Sequence, residues 1–435
     1  MTADQVAIVG LWHLGSVVAS GLAAYGIDTV GLDRDKTIVE GLNRAEPPLF
    51  EPGLADAVRN GMDSGSLRFD ADPHSLADAR FVWLTADSEL DDSHVVDIQS
   101  LLSLVCWFAP HVRMDAILLI SSQVPTGTTE ILRDEMSRAR PDWRPRVAYI
   151  PENLRLGSAI ERFHHPDWLV VGADDATAGE VTRFLAPVQC KVTITTPRTA
   201  ELAKHAINGY LATCISLANE LGDLAEALGA DGLMVAQIMH SDRRVAEQAP
   251  LRPGAGFSGG TLSREIQTLR DLGKRNDIAT PLADAVASAN QNRTAKILTE
   301  LSARLDLSGA VVAILGVAYK PNSSSMRDSD SLRMISRLAK AGASVRVHDP
   351  FADVADIRLP HGARLVAAVG DAVSGASALV LMSEHDDYRN LDLPRLVASM
   401  AGRVVVDPHH LLTSAVDGLG ADYVAFGRAS TRGRQ

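Results

Sequence analysis

Residues 10 to 15, Gly-Leu-Trp-His-Leu-Gly, close a run of apolar β-formers (Val6 to Val9) and open a helix-like pattern. Two glycines framing a strand-to-helix turn suit one kind of chemistry, because the helix N-terminus attracts a pyrophosphate. Gly10 allows the tight turn, Gly15 allows close helix-to-sheet packing, and Leu11 lies between them. Trp12 occupies the place of the middle glycine, which normally lets the backbone approach the phosphates. It does not forbid binding if its side chain points away, but it must alter how the ligand lies. Asp33 follows 23 residues after Gly10, about the interval at which a carboxylate meets the ribose hydroxyls of NAD. It favours NAD over NADP, since a 2′-phosphate would face a carboxylate; nearby Arg34 and Lys36 weaken that preference. Taken alone the loop is weak evidence, and a buried strand–turn–helix would read similarly.

The elements that must position these residues form two similar halves around a helical middle. QVAIVG reads as a buried strand, SVVASGLAAYG as a helix closed by Gly26, and TVGLD as a second strand. Further strands are expected at residues 80–87, 116–122, 146–153 and 168–172. Strands alternating with helices indicate a parallel, doubly wound sheet. Residues 197–229 lack strand character and carry apolar residues at intervals of three and four (Leu202, Ala206, Tyr210, Cys214, Leu217, Leu221, Leu224, Leu228). Such a long helix spans two domains or forms a dimer seam. From residue 311 the opening pattern returns: VVAILGVAYK echoes VAIVGLWHL, and Asp349 takes the role of Asp33.

Composition limits the functional classes. A chain of 435 residues exceeds one ordinary core, so two or three domains are expected. A net charge of −12 argues against a general nucleic-acid or membrane-surface binder. Cys106, Cys190 and Cys214 are too scattered for a disulfide framework or zinc cluster. The adjacent pairs His164–His165 and His409–His410 lack a carboxylate at ligand spacing and read as loop or surface histidines, so no metal is expected. With no signal peptide and no apolar run of membrane-spanning length, a soluble cytoplasmic protein is the default.

Further motifs stand in order along the chain: FEPGL at 50–54, SSQVPTGTT at 121–129, PENLRLGSAI at 151–160 and ELAKHAINGYLA at 201–212. DRRV at 242–245, GFSGGTLSRE at 256–265 and GVAYKPNSSSMRDSDSL at 316–332 follow. In this order and spacing the chain resembles the UDP-glucose/GDP-mannose dehydrogenase family, over roughly residues 5 to 425. The resemblance implies an α/β fold, two Rossmann-like doubly wound domains joined by a long central helix. Residues 1–196 would bind NAD, 197–300 would form a helical dimerisation domain, 301–427 would bind the nucleotide (UDP) sugar, and 428–435 would be a disordered tail. It also implies a homodimer, a nucleotide-sugar substrate and a place in polysaccharide biosynthesis.

The family oxidises a sugar alcohol twice with two NAD, capturing the intermediate aldehyde on a cysteine. Carried onto this chain, the resemblance assigns alcohol oxidation to Lys204 and Asn208, which share a helical face at i, i+4. An ammonium there would stabilise a developing alkoxide, and the amide would hold a water or sugar oxygen. Glu152 matches the family's acid or base. Thr85, Ser122 and Arg327 fall on the cofactor side, with Gly10, Leu11, Trp12, Gly15 and Asp33. Leu154, Phe257, Gly259, Lys320 and His409 fall on the substrate side. Arg244 matches an arginine that reaches the neighbour's substrate across the dimer, with Arg243 as the alternative.

The departures sort by meaning. Thr261 stands at the position of the family's cysteine, and a hydroxyl is a poor nucleophile without a dedicated base. Gln123, Ser121 and Leu156 replace other polar residues of the family's pattern, and His409 replaces an arginine. Glu265 could survive as a base. The pieces of the first oxidation remain while those of thioester formation and hydrolysis are missing. The leading expectation is therefore NAD-dependent oxidation of a nucleotide-linked sugar without a covalent enzyme intermediate. Such an enzyme either stops after one two-electron step or oxidises the hydrated aldehyde. An internal-redox epimerase with tightly bound NAD and a non-catalytic nucleotide-binding homologue are the alternatives. β-Hydroxyacid dehydrogenases, which share a Lys-x-x-x-Asn helix, fit less well because they lack a second α/β domain.

Overall fold

The computed structural model describes residues 5–90, 96–258, 261–318, 326, 329–351, 359–412 and 419–428. The chain divides into two compact units, residues 1–206 and 207–435.

The first unit is built on an eight-stranded sheet. Its strands are β1 (Gln5–Val9), β2 (Thr29–Leu32), β3 (Leu67–Asp70), β4 (Ala79–Leu84), β7 (Ile117–Ile120), β8 (Arg146–Tyr149), β9 (Leu169–Gly172) and β10 (Val192–Thr195). A small hairpin, β5 (Glu89–Leu90) and β6 (Val96–Asp97), lies outside it. The spatial order is β10-β9-β8-β7-β4-β1-β2-β3, parallel throughout except where β9 meets β8. The order reverses between β1 and β4, and a ligand crevice is expected beyond the carboxyl ends of the strands at such a switch point. Gly10 and Thr85, the residues just past these two strands, meet there. Apolar runs such as Ile117-Leu-Leu-Ile120 are buried on both faces, as a parallel sheet covered by helices requires.

Two of the expected strands, at residues 80–87 and 116–122, end earlier, at Leu84 and Ile120. Past Leu84, the Thr85 hydroxyl donates to the carbonyl of Gly10; past Ile120, Ser121 and Ser122 donate to the carbonyls of Ile150 and Ala86. Small hydroxyl side chains thus tie these strand ends to neighbouring loops.

The second unit repeats the design. Strands β11 (Val311–Leu315), β12 (Ser344–His348), β13 (Ala363–Leu365), β14 (Ala378–Leu381), β15 (Val404–Val406) and β16 (Asp422–Val424) form a parallel sheet in the order β13-β12-β11-β14-β15-β16. Its switch point lies between β11 and β14. There Gly316 (φ 96°) leaves so little room that a Cβ would sit 2.3 Å from that of Ser383. Asp349, following β12, accepts the backbone N–H groups of Val317 and Ala318 at 2.7 and 2.9 Å. Asp33, following β2, accepts the N–H of Leu11 at 2.7 Å. The echo seen in the sequence is therefore a shared internal brace: in each sheet a carboxylate holds the turn after the first strand.

The long helix runs Pro197–Leu228 and crosses the division between the units; Gly229 (φ 71°) follows it in the left-handed conformation. Most of its apolar stripe faces outward, with Cys214 the buried exception. Tyr210, Leu217, Leu224 and Leu228 are exposed, whereas Ala212, Ala218 and Ala225 are buried. Gly222 packs so closely that a Cβ would meet Pro253 at 2.6 Å. Small residues let this helix approach its own unit and leave the larger side chains outside. Among the described residues no helix is long and apolar enough to cross a membrane.

Candidate active site

The cofactor crevice is defined by what cannot fit in it. A side chain at Gly10 (φ 95°) would begin 2.5 Å from Cα of Ala86, and one at Gly15 would begin 1.8 Å from the carbonyl oxygen of Gly10. Thr85 Oγ1 donates to that same carbonyl at 2.8 Å, and Ser16 Oγ donates to the carbonyl of Leu11. Asp33 spends Oδ2 on Leu11 N–H and Oδ1 on Asp35 N–H. Each carboxylate oxygen keeps a second lone pair for a ribose hydroxyl. Trp12 caps the helix His13–Ala24 from an extended conformation and is 41% exposed, so the indole lies at the surface and not in the core. No acidic residue occupies that helix's first turn, which favours an anion at its N-terminus. These residues fit a dinucleotide. Beside them the Arg34 guanidinium is fixed by Ser103 and lies 4.9 Å over the ring of Trp107. The Ser122 hydroxyl is committed to the carbonyl of Ala86.

A residue without an assigned role in the sequence joins this crevice to the next segment. Glu51, from FEPGL, is buried and accepts hydrogen bonds from His13 Nε2 (2.9 Å), Gly157 N–H (2.9 Å) and Ala159 N–H (2.8 Å). Burial pushes its carboxyl up, but the His13 bond and the two N–H groups outweigh this and hold it below the usual range. Glu201, likewise unassigned, sits one turn before Lys204 and takes the N–H groups of Gly127 and Thr129 and the Thr129 hydroxyl. Here burial dominates and raises the carboxyl. The only sequence signal for either was membership of a quoted motif.

Lys204 and Glu152, the candidate reacting groups, meet in the first unit. Lys204 is buried; its Nζ donates to the backbone carbonyl of Glu152 at 2.6 Å and to Oε1 at 3.2 Å. The other carboxylate oxygen accepts the N–H of Leu154 at 2.8 Å, and the Leu154 side chain packs against the core. Asn208, one turn beyond Lys204, is also buried, and its Nδ2 has no hydrogen-bond partner among the described residues. Both side chains are thus withdrawn from solvent.

In the second unit Thr261 directly precedes the helix Leu262–Arg275, and its hydroxyl does not cap it. Glu265 is fully buried in that helix's first turn, and Phe257 is buried against Ala212 and Ile266. Arg244 is exposed and paired with Asp242 at 2.6 Å; Arg243 is exposed as well. His409 Nδ1 lies 3.4 Å from Glu384, whose carboxyl it holds below the usual range. His410 is buried with φ 57°, and His164 faces the Tyr25 hydroxyl at 3.0 Å, so these two are packed residues, not free surface histidines. Gly259, Lys320, Arg327 and the terminal tail at 429–435 lie outside the described residues.

The thiols are elsewhere. Cys214 is buried among Ala236, Ala249 and Leu251. It lies ten residues past Lys204, roughly 15 Å along the helix. Cys106 is raised by burial and by its contact with Glu135, and Cys190 contacts the carbonyl of Pro166.

A buried lysine on the long helix, paired with a glutamate in the loop after β8 of a glycine-loop sheet, with a second such sheet downstream, defines a two-sheet NAD-dependent oxidoreductase acting on CH–OH groups. The comparisons give the particular family. Residues 4–186 match the NAD binding domain of the UDP-glucose/GDP-mannose dehydrogenase family, 198–292 its central domain and 313–414 its UDP binding domain. The chain is 31% identical to a UDP-glucose 6-dehydrogenase of Pseudomonas aeruginosa, covering 98% of this chain and 97% of that one. It is 30% identical to one of Rhizobium meliloti, covering 98% and 99%. The solved UDP-glucose dehydrogenase of Pyrobaculum islandicum superposes with a TM-score of 0.91 at 28% identity over 98% of both chains. The chain belongs to the UDP-glucose/GDP-mannose dehydrogenase family.

Proposed function

We propose that this chain oxidises a primary or secondary alcohol of a UDP-linked sugar without forming a thioester on the enzyme. The observation that carries the reading is the intact Lys204–Glu152 pair combined with threonine, not cysteine, at position 261. Gly10, Gly15, Asp33, Thr85 and the helix starting at His13 would hold NAD, with Leu11 and Trp12 between the glycines. NAD, when bound, accepts the hydride from the alcohol carbon. Lys204 holds the developing alkoxide through its ammonium, and the Glu152 carboxylate takes the hydroxyl proton. Asn208 Nδ2 supplies a buried donor for a sugar oxygen or a water.

The substrate side is assigned to Leu154, Phe257, Gly259, Lys320 and His409, with Glu265 as a further base, and Arg327 to the cofactor side. In place of a sulfur at Thr261, water adds to the aldehyde, or the product leaves at that stage. The UDP-glucose 6-dehydrogenases named above make UDP-glucose the first substrate to test.

The chain works as a homodimer in this reading. Ile207, Tyr210, Leu217, Leu224 and Leu228 stand exposed at helical spacings of three, seven, seven and four, which is an a/d seam for a second copy of the helix. Exposed Arg244 is the residue offered to the neighbour. Soluble, cytoplasmic placement accompanies the reading.

The test is the ratio of NADH formed to sugar nucleotide consumed. A ratio of one marks release after the first oxidation, and a ratio of two marks oxidation of the hydrate. No NADH with any nucleotide sugar would remove the proposal.

A further inference from the structure

The segment Gly254-Ala-Gly-Phe257 has no regular secondary structure, yet five of its backbone polar groups are held by three side chains. Asn219 Oδ1 accepts the N–H of Gly254 at 2.8 Å, and its Nδ2 donates to the carbonyl of Ala255 at 3.3 Å. Arg293 Nε donates to the carbonyl of Gly254 at 2.6 Å. Asn290 Oδ1 accepts the N–H of Phe257 at 2.8 Å, and its Nδ2 donates to the carbonyl of the same residue at 2.9 Å. One amide thus pairs with both polar groups of one residue, as a neighbouring strand would.

Gly256 is required by this closeness and not by its own conformation. A Cβ there would lie 2.5 Å from Asn290 Oδ1, and its φ is not in the left-handed region. Arg293 is itself locked, almost fully buried, paired with Asp223 and 4.4 Å over the ring of Phe426. Three residues separate Phe257 from Thr261 and the helix Leu262–Arg275. The chain entering this stretch is therefore fixed at Phe257, and the chain leaving it is fixed by the helix.

We propose that Asn290 is a positioning residue for the sugar nucleotide: its amide sets the register of residues 254–258 and so presents the following loop to the substrate. The proposal rests on the reading above that this loop takes the sugar. Neither Asn290 nor Asn219 touches NAD or reacting atoms in it. Other groups serve those roles, so the effect of a variant separates by ligand.

The experiment compares wild type with Asn290→Ala, Asn290→Asp and Gly256→Ala. It uses steady-state kinetics with UDP-glucose and NAD, UDP binding by calorimetry, and hydrogen exchange of the peptide spanning Phe257. Asn290→Ala is expected to lower kcat/KM for UDP-glucose on the order of tenfold, the scale of two lost hydrogen bonds, with NAD and UDP affinities unchanged. Asn290→Asp keeps the acceptor for Phe257 N–H and should recover part of the loss. Gly256→Ala should reproduce the loss while leaving every polar group of the clamp in place. Exchange at Phe257 should quicken in both alanine variants. Unchanged kcat/KM, or an equal fall in UDP-glucose, UDP and NAD affinities, would overturn the assignment. If wild type reduces no NAD with any nucleotide sugar, the dehydrogenase reading fails by itself. The clamp is then judged by whether UDP-glucose slows Phe257 exchange in wild type but not in Asn290→Ala; no slowing in wild type contradicts it.

Discussion

The Lys204 ammonium lies 2.6 Å from the backbone carbonyl of Glu152 and 3.2 Å from its carboxylate. The helix and the loop after β8 are thus joined at the two groups proposed to carry the oxidation. Replacing Lys204 by Met keeps the buried stem and removes the charge. The expected result is a fall in kcat of about 10² to 10³, the scale of losing one group that stabilises developing negative charge. Glu152→Gln should also slow turnover, and the double variant should fall well short of the product of the two losses, because the residues act as one unit. Additive losses in NADH-formation assays would show that the contact is incidental.

The Glu51–His13 link predicts a defect in cofactor binding from a residue outside the glycine loop. Glu51→Gln leaves one oxygen for donors from three directions and should cost about 1–3 kcal/mol of stability. NAD should bind more weakly, since His13 begins the helix behind the loop. The Glu51 carboxyl is lowered in the fold, so its contribution is present above the ordinary glutamate value and is lost as pH falls through the folded value. Thermal unfolding between pH 6 and pH 3 should therefore show a smaller acid-side loss in Glu51→Gln than in wild type. A parallel pair of curves would refute the linkage.

Asp349 makes a sharper pH prediction. Burial raises its carboxyl, but the His385 side chain and the N–H groups of Ala318, Val317 and Phe351 bring it down to about 2. Against an unfolded value of ~3.9, this corresponds to about 2–3 kcal/mol at neutral pH, present above pH 4 and lost as the pH falls toward 2. Asp349→Asn should lower the unfolding temperature at pH 7 and make its fall across that acid window smaller than in wild type. An unchanged acid profile would contradict the brace.

The tryptophan in the glycine loop is expected to be tolerated. Trp12→Gly removes an exposed ring and should leave NAD affinity equal or higher, measured by fluorescence or calorimetry. Gly15→Ala, by contrast, places a Cβ 1.8 Å from the carbonyl oxygen of Gly10 and should abolish NAD binding. Loss of binding in Trp12→Gly would mean that the indole itself holds the cofactor.

Much of this design was legible in the sequence because glycine spacing, strand alternation and helix periodicity are local signals. Gly10, Gly15, Asp33 and Asp349 fell where their intervals placed them, and the helix from Pro197 was visible in its own pattern. The direction in which that helix points its large side chains was not, because Ala212, Gly222 and Ala225 turn inward only in the presence of their neighbours. Asp33 was read as a ribose ligand, while its carboxylate also carries the turn at Leu11, a role that needs three-dimensional proximity. Glu51 and Asn290 bond to residues 106 and 33 positions away, which no motif spacing encodes.

The proposed oxidation proceeds without a thiol, and all three cysteines lie outside the matched nucleophile position. The direct measurement is NADH formation from UDP-glucose by a variant carrying Cys106→Ser, Cys190→Ser and Cys214→Ala together. A kcat within a few-fold of wild type and the same number of NAD reduced per sugar are expected. A folded variant that loses turnover, or a sugar adduct trapped on any of these cysteines in wild type, would contradict it.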